Sequence, residues 1–71
     1  MSAQTPLIAA VQDGKRVSVA RDWQGDDAES RFLKSIHAGA CRFFDGVLGP
    51  DYNRAHANHF HLDRGGWGLC R

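Results

Sequence analysis

Residues 58–63 read Asn58-His59-Phe60-His61-Leu62-Asp63, an alternating pattern that predicts a β-strand. In an extended strand, successive side chains point to opposite faces, so Phe60 and Leu62 would face a core. His59, His61 and Asp63 would share the other face, with alternate positions roughly 6.6 Å apart along the strand. Such groups can converge on one ion or one substrate, although the same alternation is typical of an ordinary half-buried strand with a solvated face.

The segment before this strand carries a third histidine. His56 precedes His59 by three positions in the polar, loop-like segment 50–58, so three of the four histidines fall close together. Neutral imidazole binds metal ions and exchanges protons near neutral pH, which makes the cluster a candidate site. The fourth histidine, His37, falls in a predicted helix, and we interpret it as a partly buried structural residue rather than a ligand.

Two apolar stretches near the start of the chain flank an Asp-Gly pair. Residues 7–11 and 16–20 are joined by Gln12-Asp13-Gly14-Lys15. Asp-Gly supplies the two positive φ angles of a type I′ turn, so the sequence predicts a β-hairpin here.

A helix is predicted after this hairpin. Asp26 can cap its first turn, with Glu29 reaching back as a capping box, and the helix is expected to run to about Phe44. Apolar residues recur at helical spacing along one face of it: Ala28, Phe32, Leu33, Ile36 and Ala40.

The remaining segments are short. Residues 46–49 predict a strand that Pro50 ends, and the glycine-rich residues 64–71 predict an irregular tail with Trp67 folded onto the domain. The expected class is α+β: a small antiparallel sheet, made of the hairpin plus one or two strands, packed on one helix.

A chain of 71 residues forms at most one domain, which we assign to residues 1–71, and its core is small for its surface. Cys41 and Cys70 do not form a Cys-x-x-Cys pair, so neither a zinc knuckle nor a thioredoxin-type motif is indicated. A bridge between them would remove about 3.6 kcal/mol of unfolded-chain entropy. Two buried free thiols are the alternative.

Charge and hydropathy exclude several classes of partner. The formal net charge is +1, from nine basic and eight acidic residues that are interspersed, so no footprint for nucleic acid or an anionic membrane is present. No apolar run approaches the roughly 20 residues that a transmembrane helix needs. The first eleven residues lack a basic region before their short apolar stretch, so they do not predict a signal peptide.

Several stretches of the chain occur in a specific order and spacing. They are Asp13-Gly14-Lys15-Arg16-Val17-Ser18-Val19, Arg21-Asp22-Trp23, Phe32-Leu33, His37-Ala38-Gly39-Ala40-Cys41, Val47-Leu48-Gly49-Pro50-Asp51-Tyr52-Asn53, His56, His59-Phe60-His61-Leu62-Asp63, Trp67-Gly68 and Cys70-Arg71. With them, the chain from about Asp13 to Arg71 resembles the C-terminal part of the bacterial extensin-like domain. The resemblance favours the Cys41–Cys70 disulfide and a periplasmic or extracellular location.

The extensin-like domain is in turn similar to zinc peptidases of the D-alanyl-D-alanine carboxypeptidase and lysostaphin type, which cleave peptides of bacterial cell walls. By that resemblance His61 is a zinc ligand and His59 is the catalytic residue beside the metal. Zinc would activate a water molecule and polarise the scissile carbonyl, while the adjacent base handles the proton. The implied partner is a cell-wall peptide or glycan.

One departure from the family pattern affects activity. The superfamily takes its other two zinc ligands from an upstream Ser-x-His-x-x-Gly-x-Ala-x-Asp motif, whereas the first histidine of this chain is His37. The chain is therefore expected to be either a fragment of a longer protein or a reduced homologue. Both alternatives predict poor hydrolysis by these residues alone, with a missing N-terminal segment or a second chain needed to complete the site.

Other interpretations remain open at this stage. The chain could be a non-catalytic module that binds a wall peptide or glycan without metal, in a groove beside Tyr52, His56 and His59. His56, His59 and His61 could instead form a three-histidine zinc site. Asp63 could orient His61 as a carboxylate behind the metal ligand, or it could be an exposed carboxylate at a strand end.

Overall fold

The computed structural model describes residues 4–65 and 68–71. Its elements in chain order are β1 (Gln4–Leu7), β2 (Ala9–Gln12), β3 (Lys15–Ser18), α1 (Val19–Asp22), α2 (Ala28–Ala40), β4 (Gly46–Leu48), a 3₁₀ turn (Arg54–His56), β5 (Phe60–Asp63) and β6 (Leu69–Cys70). The predicted α+β class is confirmed.

The predicted strand at the histidines is β5, and it lies inside a four-stranded sheet. The strand order is β1-β5-β4-β6, so β5 pairs antiparallel with a neighbour on each side. Phe60 is 0% exposed and Leu62 is 7% exposed, which confirms that these two side chains face the core. The buried alternate positions fix the register, because a slip by one residue would turn the apolar side chains to the other face.

The predicted hairpin is confirmed as a separate two-stranded sheet of β2 and β3, with Gln12 paired to Lys15. Asp13 has φ of 52° and Gly14 has φ of 77°, the two positive angles that the Asp-Gly pair was expected to supply. The expected strand over residues 7–11 is nevertheless divided. Leu7 ends β1 opposite Phe60, while Ala9 begins β2.

The second hairpin strand ends earlier than predicted, because α1 begins directly after it. The Arg21 N–H donates to Ser18 Oγ at 3.3 Å, and the Ser18 N–H donates to Asp22 Oδ2 at 2.9 Å. These reciprocal bonds satisfy N–H groups at the start of a helix, so they stop the strand at Ser18.

The main helix α2 is confirmed with different ends. Its N-cap is Asp27 rather than Asp26, since Asp27 Oδ1 accepts the Ser30 N–H at 2.9 Å. Glu29 does not complete a capping box but accepts from Lys15 Nζ at 2.6 Å. The helix ends at Ala40, short of the predicted end near Phe44.

The hydrophobic core lies between α2, α1 and the two sheets. Its buried members are Val17, Val19, Trp23, Leu33, Val47, Phe60 and Leu62. Of the predicted apolar helix face, Leu33 is fully buried, and Phe32, Ile36 and Ala40 pack against the core from partly buried positions.

The C-terminal tail is more ordered than predicted. Leu69–Cys70 forms β6, which runs parallel to β4, so the larger sheet is mixed rather than purely antiparallel. The Cys41–Cys70 disulfide is formed and joins β6 to the end of α2.

The prediction for Trp67 lies outside the described residues. Among the residues that are described, no helix has the length and apolar character needed to cross a bilayer.

Candidate functional site

His61 sits on the central strand of the sheet and faces away from the core. Its backbone lies between Pro6 of β1 and Leu48 of β4. Its side chain is 25% exposed and that of Asp63 is 3% exposed, with His61 Nε2 lying 3.6 Å from Asp63 Oδ2. The predicted shared face of these two residues is confirmed. The alternative of an exposed Asp63 is wrong.

The contact with Asp63 bears on which nitrogen of His61 is available. A carboxylate next to Nε2 favours the tautomer that carries the hydrogen there, which leaves the lone pair on Nδ1. Metal-bound imidazoles are commonly held in this way, with the nitrogen that does not bind the metal directed at a carboxylate. His61 can therefore offer Nδ1 as a ligand atom.

His56 and His59 are positioned by a turn rather than by the sheet. The 3₁₀ turn ends at His56, and the His59 N–H donates back to the His56 carbonyl at 3.5 Å. His56 Nδ1 lies 2.7 Å from Asn53 Oδ1, and His59 Nδ1 lies 2.8 Å from Asn58 Oδ1. An amide oxygen only accepts, so in both histidines Nδ1 carries the hydrogen and Nε2 holds the lone pair.

The three rings form one cluster in which His56 is central. Its ring centroid lies 5.0 Å from that of His59 and 5.9 Å from that of His61. The exposed Tyr52 also contacts His56, with the two rings nearly perpendicular and their centroids 5.6 Å apart. The three histidines therefore lie near one another in the structure, but the roles assigned to them remain predictions.

The surroundings of His56 keep its ring neutral near physiological pH. Partial burial lowers the pKa of His56 below its ordinary value, and positive charge on His59 or His61 lowers that pKa further. A neutral imidazole is the form that binds a metal ion or accepts a hydrogen bond from a substrate.

The cluster lies on an open surface, since the described part of the chain contains no pocket. The groove expected beside Tyr52, His56 and His59 is therefore not formed by these residues alone. A ligand here would rest on the face of the sheet and the adjoining turn.

A second group of potential ligands lies where the end of α2 meets β6. Among described residues, the set of three whose ligand atoms all fall within 4.8 Å of one another is His37, Cys41 and Cys70. The sulfurs of Cys41 and Cys70 form a disulfide bond, so neither is available as a thiolate ligand. The group is therefore a structural cluster in this state.

His37 has the structural position predicted for it. Its ring packs against Trp23 and Phe60, with centroids 5.7 and 5.3 Å away. Burial lowers the pKa of His37, and the nearby Asp51 partly opposes this effect. Asp51 also accepts the Trp23 indole N–H at 3.1 Å.

Sequence reasoning did not identify the two amides as the groups that orient the histidines. Asn53 stands three positions before His56, and Asn58 stands immediately before His59. Asparagine is common in turns because its side chain bonds to nearby groups, so the spacing was a weak signal for such a role.

Comparison with known proteins gives one match. The sequence profile of the family described as "Extensin-like protein C-terminus" matches residues 8–71. No curated protein and no solved structure matches the chain.

Proposed function

The chain belongs to the extensin-like protein C-terminus family, and we propose that it forms the C-terminal part of a zinc peptidase-like domain acting on bacterial cell-wall peptides. In this proposal His61 is a zinc ligand and His59 is the catalytic residue beside the metal. The proposal draws on the resemblance of the family to zinc D,D-peptidases and on the geometry of β5.

The observation that carries the proposal is the placement of His61 against Asp63. A buried carboxylate 3.6 Å from Nε2 leaves Nδ1 as the nitrogen of His61 that is available to a ligand. This arrangement suits a metal ligand, because the carboxylate fixes the ring and raises the basicity of the ligating nitrogen.

His59 has the lone pair needed for proton transfer. Its Nδ1 is held by Asn58 at 2.8 Å, so Nε2 is the acceptor nitrogen. When bound at His61, zinc would supply a Lewis acid that lowers the pKa of a water molecule toward neutrality. His59 Nε2 would accept the proton of that water and return it to the leaving amine.

The metal site needs more ligands than this assignment provides. A catalytic zinc site ordinarily has three protein ligands and a water, and the resemblance assigns one of them, His61, to these residues. In the proposal the others come from a segment or second chain outside residues 1–71. The 71 residues by themselves are then expected to hydrolyse wall peptides poorly.

A periplasmic or extracellular location is part of the same proposal. The Cys41–Cys70 disulfide supports it, because disulfides persist in oxidising compartments and are rare in the cytosol.

The test has a genetic part and a biochemical part. An in-frame Ser-x-His and Asp encoded immediately upstream of Met1 is expected. The protein carrying that segment should release D-alanine from a wall peptide in a zinc-dependent reaction. His61→Ala and His59→Ala should each abolish release, and Arg42→Ala, an exposed control, should not. Activity that survives His61→Ala would contradict the proposal.

A second candidate is a module that binds a wall peptide or glycan without metal. The exposed Tyr52 packed on the neutral His56 favours it, since an aromatic ring beside hydrogen-bonding groups is suited to such ligands. Binding of wall fragments that persists in excess chelator, and is lost in Tyr52→Ala, would select this function over the peptidase.

A further inference from the structure

One group of side chains with metal-binding atoms takes no part in the proposed peptidase chemistry. One ring nitrogen of His37 and the sulfurs of Cys41 and Cys70 all lie within 4.8 Å of one another. Because the sulfurs form a disulfide in this structure, the group can bind a metal ion only after the bridge is reduced. Two thiolates and one imidazole are then a donor set that zinc favours.

We propose that reduction of the Cys41–Cys70 bridge converts this group into a zinc site with His37, Cys41 and Cys70 as ligands. A dithiol reductant supplies two electrons and two protons: the bond between the sulfurs breaks, two thiols form, and the dithiol leaves as its own disulfide. Binding of Zn²⁺ displaces the two thiol protons, so both sulfurs coordinate as thiolates. Water takes the fourth position of the tetrahedral ion. The inference goes beyond the proposed function and uses neither His59 nor His61.

The helix α2 and the strand β6 bring the three ligands together. His37 and Cys41 stand four positions apart, a spacing at which side chains on a helix are neighbours and at which paired zinc ligands commonly occur. Cys41 Sγ lies 3.4 Å from the His37 backbone oxygen. Cys70 reaches the same place because β6 pairs with β4, where Val47 is its partner.

The His37 ring is already positioned and neutral. It packs against Trp23 and Phe60, so little freedom remains to be lost when it binds an ion. Burial lowers the pKa of His37, so its lone pair is available near neutral pH without displacement of a proton. Within the described part of the chain, His37 Nε2 is buried and has no hydrogen-bond partner. The nearby Asp51 adds negative charge, which favours a cation.

Formation of the site requires the two sulfurs to part. Two Zn–S bonds of about 2.3 Å at a tetrahedral angle place the sulfurs roughly 3.8 Å apart. This separation is within the 4.8 Å over which the three ligand atoms already lie. The exposed Cys70 is on β6, the last strand of its sheet, which pairs with one neighbour and can shift. The ion would then hold β6 beside α2 in a chain whose bridge has not yet formed.

The experiment measures the reduction potential of the Cys41–Cys70 couple in a dithiol redox buffer, at several concentrations of free zinc that a chelator holds constant. Zinc binds this group only in the reduced state. Each tenfold increase in free zinc above the dissociation constant should therefore raise the potential by about 30 mV. Zinc bound equally in both states, as at His61, does not change the potential.

Two variants test the role of His37. In His37→Gln the shift at saturating zinc should shrink by at least about 30 mV, because loss of a ligand weakens binding at least about tenfold. Arg42→Ala changes an exposed side chain next to Cys41 and is the matched control, which should keep the full shift. A potential that does not depend on zinc would overturn the inference, and so would equal shifts in His37→Gln and Arg42→Ala.

A measurement on the unmodified chain guards against a His37 variant that fails to fold. Nitrogen NMR of the reduced chain should show zinc shifting one ring nitrogen of His37, and Co²⁺ in place of zinc should give thiolate-to-metal absorption. Zinc that leaves both ring nitrogens of His37 unchanged would contradict the proposed site. His61→Ala should leave all of these results intact, so the peptidase proposal stands or fails separately.

Discussion

Reduction of the disulfide should remove a large part of the stability of this domain. Cys41 and Cys70 are separated by 29 positions, and closing a loop of that length lowers the entropy of the unfolded chain by an amount worth about 3.6 kcal/mol. A domain of 71 residues is expected to have a total stability of about 4 to 11 kcal/mol. The bridge therefore accounts for between a third and nearly all of it.

The structure also indicates where the loss should first be visible. The bridge holds β6 beside β4, where the Leu69 N–H donates to Asp45 at 3.1 Å and the Arg71 N–H donates to Val47 at 2.8 Å. Without the bridge, hydrogen bonds to a single neighbouring strand hold β6, whereas β5 is paired on both sides, so the amides of β6 should lose protection from hydrogen exchange first.

Urea unfolding followed by circular dichroism, with and without a thiol reductant, measures the effect. The free energy of unfolding should fall by about 3.6 kcal/mol on reduction. The double variant Cys41→Ser, Cys70→Ser should match the reduced protein and should not respond to reductant. A loss below about 1 kcal/mol would refute the reasoning, since the parallel strand would then be held by its hydrogen bonds and packing alone.

Three further predictions concern His37 and two glycines, Gly39 and Gly49. A Cβ at Gly49 would lie 2.9 Å from His37 Cδ2, which is too close for an unstrained contact. Gly49→Ala should therefore lower the free energy of unfolding, measured in urea, by about 1–3 kcal/mol. An unchanged free energy would show that the His37 ring moves aside without cost. Gly39→Ala is its control, because open space surrounds that helical position and the change should stabilise by about 0.5–1 kcal/mol. Burial lowers the pKa of His37 below its ordinary value of about 6.5, so the unfolded state binds more protons and stability should fall as the pH drops below about 6.5. His37→Gln should flatten that part of the stability profile measured between pH 7.5 and pH 5, and an unchanged profile would assign it to other groups.

The elements that could be predicted from sequence are those whose cause is local. The hairpin follows from Asp13 and Gly14, which adopt the positive φ angles of the turn whatever surrounds them. The strand β5 follows from the alternation of Phe60 and Leu62, because burial of one face leaves a single register. Neither prediction required knowledge of the partner strands.

The elements that were missed depend on distant partners or on competition between neighbours. The strand β6 forms because β4 offers an unpaired edge and Cys70 is tied to α2, and neither condition can be read from the glycine-rich tail. The N-cap of α2 is Asp27 rather than Asp26. Both are aspartates, which are favoured at this position, so the sequence alone could not distinguish them. The division of residues 7–11 arises because Leu7 pairs with a strand more than 50 positions away.

The candidate site combines a rigid half with an adaptable half, and this division explains why its parts were predictable to different degrees. His61 and Asp63 are carried by β5, which is paired on both sides, so their spacing follows from strand geometry. His56 and His59 depend on a short turn and on two amides that no periodic pattern encodes. Because local opening is easiest where backbone is exposed and contacts are few, the turn should respond first to a ligand while β5 keeps its geometry. Binding should therefore order residues 51–59 while His61 stays in place. Hydrogen exchange at the amides of residues 51–59 is then the most sensitive measurement of whether a metal or a wall peptide has bound.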